Sequence, residues 1–187
     1  MSIFLTIALL AVLFVASELL RSKPKFEEAR PDQLEFPTST QGRVQPLVWG
    51  TCLIKAPNVV WWGDYRQVPI VVKTKTGLFS SSRQVVGFRY YAGIQCGLCR
   101  GDSNLKLKAI RVAGKEIWRG SLNGGDTLDI NLPTQFGGDT NGYGGLIGRV
   151  RFHDGTTSQA VNAYLTTFQT DAGVTPRYQG HAYVVWE

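Results

Sequence analysis

The sequence predicts a mostly β protein with an apolar N-terminal helix and one short internal helix. Glycine is abundant, at 21 of 187 residues, and valine and threonine are frequent in the body of the chain. This balance favours strands and tight turns over helices. Several segments also alternate between apolar and polar residues with a period of two, which is typical of strands with one buried face.

Composition divides the chain into three parts. Residues 1–22 are almost wholly apolar and predict a helix that ends before Pro24, because proline disfavours a helical residue ahead of it. Residues 23–36 are charged, contain prolines and lack periodicity, so they predict a linker. Residues 37–187 form the β-rich body, which has room for two interleaved β subdomains.

Three roles for the apolar helix remain open. A cleaved signal peptide normally begins with positive charge, and this chain begins Met1-Ser2-Ile3. A membrane anchor is compatible with the length of the apolar run, and the positive charges after the run would keep the body in the cytoplasm. The third role is a helix buried in protein against symmetry copies. For the last two roles the candidate contact residues are Phe4, Leu9, Leu13 and Leu20.

The body opens with two apolar segments, residues 44–48 and 59–62, that predict a β-hairpin. Pro57-Asn58 between them predicts a turn, because proline fixes φ at the turn position. Trp61 and Trp62 should lie on opposite faces of a strand. Either indole suits a protein interface, and either equally suits the core.

The remaining strands follow from apolar runs separated by glycine and polar turns. Leu105 to Val112 alternates apolar and basic residues, and Ala113-Gly114-Lys115 predicts a hairpin turn after it. Pro69 predicts an edge strand or a bulge. Strands are expected over residues 67–74, 83–91 (continuing through 92–100), 105–112, 128–132, 146–152 and 182–186, with a return strand from Glu116 and a helix over residues 159–168.

The chain contains no recognisable catalytic motif, so we expect no enzymatic activity, no cofactor and no metal. Cys96 and Cys99 form a C-x-x-C pair, but no βαβ pattern surrounds them, as a redox motif would require. Cys52, His153 and His181 are too scattered to predict a zinc site. We expect Cys96 and Cys99 to be small apolar residues at a strand end, and all three thiols to be free if the body folds in a cytoplasm. Both histidines are expected at turns or edges.

The formal net charge is +6. Basic side chains are spaced along the predicted strands and form no dense cluster, which favours a solvated basic face over sequence-specific nucleic-acid readout. The residues that could supply a basic stripe are Arg83, Arg89, Arg100, Lys106, Lys108 and Arg111.

A series of phrases along the body resembles the tail-tip hub proteins of long-tailed bacteriophages. The series begins with LEFPTSTQGR, PLVWGT and PNVVWWGD at residues 34–64. It continues with RYYAGIQCGLCRG, the phrase ending in Trp118-Arg119-Gly120, FGGDTNGYGGLIGRVRFHDG and YQGHAYVVWE. The order of these phrases carries the resemblance, which covers nearly all of the chain beyond the apolar helix.

The resemblance implies a structural subunit that closes the tail tube and carries the receptor-binding parts. It implies β-barrel or sandwich hub domains arranged as a homotrimer, with distal tail, baseplate and tape-measure proteins as partners. It also favours an N-terminal helix that lies inside the assembly or enters a host membrane during infection. The family usually continues well beyond the last phrase, so we expect a short or split hub protein, or the start of a longer one. The main alternative is a membrane-anchored β domain that binds a cytoplasmic partner.

Overall fold

The structure is a computed structural model, and it describes residues 44–75, 81–138, 144–169 and 173–187. The predicted helix over residues 1–22 and the predicted linker over residues 23–36 lie outside the described residues. The same holds for four of the candidate contact residues, Phe4, Leu9, Leu13 and Leu20.

Antiparallel β-structure dominates the described chain, as predicted. Five strands form one sheet in the order β1-β2-β7-β6-β5, and β3 and β4 form a separate ribbon. Wherever a pairing register is defined, neighbouring strands run antiparallel. The elements are β1 (Asn58–Lys75), β2 (Ser81–Arg100), β3 (Leu107–Val112), β4 (Lys115–Leu122), β5 (Thr127–Leu132), β6 (Leu146–His153), α1 (Ala163–Phe168) and β7 (His181–Trp186).

The chain separates into two compact units. Among the described residues, the larger unit takes in residues 44–70 and those from Phe88 onward, and it holds all the strands from β3 onward; we call it the body from here on. The other unit includes Val71–Gly87, which contains the distal ends of β1 and β2. In that unit Val71, Val85 and Val86 are exposed.

The sheet of the body has a hydrophobic core on each face. Along β7, Ala182 and Val184 belong to one cluster, whereas Tyr183 and Val185 belong to the other. Because side chains alternate across a strand, these clusters lie on opposite faces. The ribbon of β3 and β4 contributes Ile110 and Leu122 to the first cluster, which we call the ribbon-side core. Helix α1 contributes Leu165 to the second, the helix-side core.

The β3–β4 ribbon follows the predicted hairpin closely. Val112 pairs with Lys115, which leaves Ala113 and Gly114 as a two-residue turn. Both turn residues have positive φ, 48° and 78°, as the turn type that matches strand twist requires. The register shifts near Ile110, but Lys108 and Arg111 remain exposed while Ile110 is buried. The predicted pattern of apolar residues inward and basic residues outward is therefore confirmed.

One predicted element differs from the structure at the start of the body. Residues 44–57, which we call the lead segment, contain no strand, so the predicted strand over residues 44–48 is wrong. The segment contacts β2 through isolated hydrogen bonds: the Arg100 backbone N–H donates to the Pro46 carbonyl at 3.0 Å, and Gln45 Nε2 donates to the Cys99 carbonyl at 2.6 Å. Pro46 itself has no N–H with which to continue a ladder.

The predicted helix over residues 159–168 begins later, at Ala163. Asn162 is the N-cap, and its Oδ1 accepts from the Leu165 backbone N–H at 3.0 Å. The side chain of Gln159 instead holds a loop, since its Oε1 accepts from the Gly155 N–H at 2.6 Å and its Nε2 donates to the Arg177 carbonyl at 2.7 Å. These side-chain bonds compete with helix formation ahead of the cap.

Pro69 lies in β1, which is an edge strand of the sheet. The edge position was one of the two predicted for it, and a missing N–H is tolerated there because an edge strand has one unpaired side. Along the described residues, no helix has the length and apolar character needed to cross a membrane.

Backbones meet closely where β2 ends and β7 begins. The Gly101 N–H donates to the Gly180 carbonyl at 2.8 Å, and the Gly180 N–H donates to the Gly155 carbonyl at 2.7 Å. A Cβ on Gly155 would lie 2.6 Å from the Gly101 Cα and 2.8 Å from the His181 carbonyl carbon. This glycine junction of Gly101, Gly155 and Gly180 therefore needs glycine at its centre.

Candidate functional site

The two predicted interface tryptophans lie in different surroundings. Trp61 is half-buried and packs against the helix-side core, with its ring 6.2 Å from that of Tyr164 in an edge-on arrangement. Trp62 is 37% exposed. The tandem places one indole on each side of the strand, as predicted, and Trp62 is therefore the better candidate for contact with a partner.

Trp61 also covers a glycine two positions further along the chain. A Cβ at Gly63 would collide with the Trp61 indole, and Gly120 stands in the same relation to Trp118 on β4. The indole in each case fills the space of the missing side chain, an arrangement that supports glycine in a strand. Trp61 is thus fixed by local packing and is a poor candidate for a movable contact residue.

An apolar edge runs along β1. It consists of Val60, Trp62 and Val68, all of which are exposed, and β1 forms one border of the five-stranded sheet. Natural proteins usually protect sheet edges with charge, brevity or cover. On this edge Arg66 supplies one charge, and its guanidinium pairs with Asp64 at 3.2 Å. The apolar edge is therefore a candidate surface for pairing with another chain.

The lead segment adds a second exposed apolar surface. Val48 and Ile54 pack against the ribbon-side core. The other large apolar side chains of the segment face solvent, and Trp49 is 84% exposed. An exposed tryptophan among other apolar residues is characteristic of protein interfaces. The exposed members are Val44, Leu47, Trp49 and Leu53.

The C-x-x-C pair is a core feature. Residues three apart on a regular strand lie on opposite faces, yet Cys96 and Cys99 both belong to the ribbon-side core because the register shifts between Gly97 and Cys99. Burial raises the pKa of the Cys96 thiol to about 11 and also raises the pKa of Cys99. Both therefore stay protonated and weakly nucleophilic at neutral pH. The prediction of buried apolar cysteines at a strand end is confirmed, and these two thiols and that of Cys52 are free.

A buried polar cluster lies beneath helix α1. Asn162 Nδ2 donates to His153 Nε2 at 3.0 Å, while Asn162 Oδ1 accepts from the helix backbone. The ring of His153 stacks on that of Tyr183, with centroids 4.3 Å apart. His153 is 6% exposed, so its predicted place at a turn or edge is wrong. His181 is exposed at the start of β7, directly after the turn at residues 179–180, which agrees with the turn position among the two expected for it.

The buried position of His153 beneath helix α1 lowers its pKa. Burial lowers it to about 4, the positive charge of Arg151 acts in the same direction, and Asp154 opposes both. The bond from Asn162 also needs an unprotonated Nε2. Asn162 cannot turn its oxygen toward the ring without losing its bond to the N–H of Leu165. The histidine is therefore held neutral as part of the core.

Three polar residues of this region, Gln95, Asn162 and Tyr183, were not predicted as buried from the sequence. Gln95 and Tyr183 are each 1% exposed, and neither Gln95 Nε2 nor the Tyr183 hydroxyl has a hydrogen-bond partner among the described residues. Gln95 interrupts an apolar run, which is a usable signal, and Asn162 is a residue type that caps helices. Tyr183 resembles any strand tyrosine in sequence.

Side chains that could hold a metal do not gather in the described part of the chain, where no group of three His, Cys, Asp or Glu residues comes together. All six residues of the predicted basic stripe are exposed. Two of them make side-chain contacts with β4: Arg111 lies 3.6 Å from Glu116, and Lys108 Nζ donates to Ser121 at 3.0 Å.

Comparison with known proteins adds no assignment. No model of a known protein family matches the chain, and no curated protein matches it at a significant level.

Proposed function

We propose that the protein is a non-enzymatic structural subunit of the tail tip or baseplate hub of a long-tailed bacteriophage. In this proposal it is located in the virion, and it helps to close the tail tube and to anchor the receptor-binding parts. Its β domains, as barrels or sandwiches, associate as a homotrimer and contact distal tail, baseplate and tape-measure proteins. The proposal uses no cofactor and no sequence-specific nucleic-acid contact.

The observation that carries the proposal is the apolar edge of β1 together with the exposed lead segment. A strand edge offers unpaired N–H and C=O groups, and a neighbouring chain can extend the sheet through them. Exposed aromatic and aliphatic side chains on the same strand would then be buried by the partner. A subunit that assembles with copies of itself requires such a surface. In a protein that stays monomeric, an exposed apolar edge promotes aggregation and is usually covered.

Charge on the apolar edge is expected to weaken self-association. We expect Trp62→Lys combined with Val68→Lys to shift the purified full chain from an oligomer toward a monomer. A buried interface aromatic commonly contributes about 2 kcal/mol or more, which corresponds to roughly a thirtyfold weaker association. Light scattering coupled to size-exclusion chromatography measures the mass, and negative-stain imaging shows whether ring-like particles form.

The matched control is Val161→Lys. Val161 is as exposed as Trp62, at 37%, but lies in the loop ahead of α1. This variant should retain the oligomeric mass of the natural chain. A natural chain that is monomeric at high concentration would contradict the proposal, as would equal disruption by the control.

The N-terminal apolar residues provide the proposed contact with the host membrane. We expect a soluble reporter fused to residues 1–25 to co-sediment with lipid vesicles, because an apolar run of this length gains free energy by leaving water. A fusion in which Leu9 and Leu13 are replaced by Asp is the control and should remain in the supernatant. If the unmodified fusion also stays soluble, the membrane contact is excluded and a helix buried within the assembly is favoured.

A further inference from the structure

A cavity of about 530 Å³ opens between the lead segment, the start of β1, and strands β2 and β7. This volume is within the usual range for sites that bind small organic molecules. Much of the lining is apolar, from residues such as Ile54, Val60 and Leu98. Gln95 and Tyr183 both line it, and Gln95 Nε2 and the Tyr183 hydroxyl have no hydrogen-bond partner in the part of the chain that the structure describes.

The pairing register brings these two side chains together. Gln95 lies opposite Val185, and Gly97 lies opposite Tyr183, in the antiparallel pair of β2 and β7. Gln95 and Tyr183 are thus diagonal neighbours on the same face of the sheet. Long side chains reach one another across such a diagonal.

The unpaired groups are both donors. Gln95 Oε1 already accepts from Gln169 Nε2 at 3.3 Å, and the amide N–H groups of Gln95 have no acceptor among the described side chains and backbone. The Tyr183 ring is held by stacking on His153 and by edge contact with Tyr178 at 5.3 Å. A buried donor without an acceptor is unfavourable, so an acceptor that enters the cavity gains more than it would in water.

The charges around the cavity select the kind of acceptor. Lys55 and His181 line it, and among the described lining residues none is Asp or Glu. A carboxylate offers two acceptor oxygens and the opposite charge to Lys55. An apolar body attached to it would pack against the aliphatic part of the lining.

We propose that this cavity binds a small organic carboxylate with an apolar body. Its oxygens accept hydrogen bonds from Gln95 Nε2 and the Tyr183 hydroxyl, after small rotations of these side chains, and Lys55 adds charge attraction at the site. The inference does not rest on the proposed role in tail assembly, although Val60 of the apolar edge and Val44 of the lead segment also line this cavity.

Octanoate is a suitable probe, with octylamine and octanol as probes of equal chain length. We expect saturable binding of octanoate to the purified full chain, followed by chemical-shift changes in the side-chain amide of Gln95. Octylamine should bind at least about tenfold more weakly, because Lys55 repels it and it accepts no bond while charged. Gln95→Leu and Tyr183→Phe should each weaken octanoate binding by about tenfold, as expected for loss of one bond to a charged acceptor.

Tyr164→Phe is the control for the tyrosine variant. The Tyr164 hydroxyl donates to Asp64 Oδ2 at 2.9 Å, and Tyr164 is not among the residues that line the cavity. It should lower thermal stability but leave octanoate affinity unchanged. Tyr183→Phe should retain the thermal stability of the natural chain, because the Tyr183 hydroxyl makes no hydrogen bond within the described residues that the substitution would remove.

Three results would overturn the proposal: no saturable octanoate binding, equal binding of octanoate and octylamine, or unchanged affinity in both cavity variants. A high-resolution structure with only ordered water at Gln95 and Tyr183 in the presence of excess octanoate would do the same.

Discussion

Gly155→Ala is expected to lower the free energy of unfolding by about 3 kcal/mol or more, the sum of a backbone penalty and a steric one. Gly155 has a φ of 84°, where an L-residue with a Cβ is strained. The new Cβ would also overlap the backbone of Gly101 and His181, at 2.6 and 2.8 Å. Backbone atoms of three chain segments cannot rotate away as a side chain can, so the junction itself must open.

Urea unfolding followed by tryptophan fluorescence measures this loss, and Gly114→Ala separates its two causes. Gly114 has a similar φ of 78°, but a Cβ there meets no atom within 4 Å. Its substitution should therefore cost only the backbone penalty, about 1 kcal/mol. If the two variants lose the same free energy of unfolding, the close contact at the glycine junction adds no steric penalty to Gly155→Ala, and the prediction is wrong.

Acidification is expected to remove about 3 kcal/mol of stability through His153, between pH 6.5 and about pH 4. The ordinary pKa of histidine is 6.5, and in the folded protein that of His153 is lowered to about 4. As pH falls below 6.5, the unfolded chain binds a proton that the folded chain does not, so the unfolded state is favoured. Each tenfold difference in proton affinity is worth about 1.4 kcal/mol, which gives the stated magnitude.

The chain has two histidines, and the second provides the control. His153→Gln should flatten the dependence of stability on pH in this window, even if it lowers stability at pH 7. His181→Gln should retain the dependence of the natural chain, because His181 is exposed at the start of β7. An unchanged slope in the His153 variant would show that carboxyl groups alone account for acid sensitivity.

Local sequence patterns predicted the strands well where packing follows a simple alternation. The β3–β4 ribbon forms between residues that are neighbours in sequence, and residue type alone was enough to predict an edge or bulge at Pro69 and apolar cysteines at a strand end. The lead segment was misread because an apolar run with strand propensity also occurs where no ladder partner is available. Its residues Leu47 and Trp49 face solvent. The apolar pattern of the sequence does not distinguish side chains that pack inside the chain from side chains that stay on its surface.

The helix-side polar cluster could not be read from sequence for a different reason. His153, Asn162 and Tyr183 meet through the antiparallel pairing of β6 with β7 and the position of α1. Such pairing sets contacts between residues that are far apart along the chain. Sequence places His153 beside Asp154-Gly155, which indicates a turn, and nothing local indicates that its ring is covered by a helix.

The two borders of the five-stranded sheet are unlike each other. β1 presents apolar side chains, whereas Asp129 on β5 is paired with Arg149. Contact of β1 with its own counterpart makes a two-fold pair, which cannot grow further. A three-fold assembly instead needs head-to-tail contact between β1 and a different surface of the next copy. Such contact closes only if the rotation per copy divides a full turn, and otherwise it continues into open filaments. Residues that set this angle would therefore decide between a closed particle and fibrous aggregation.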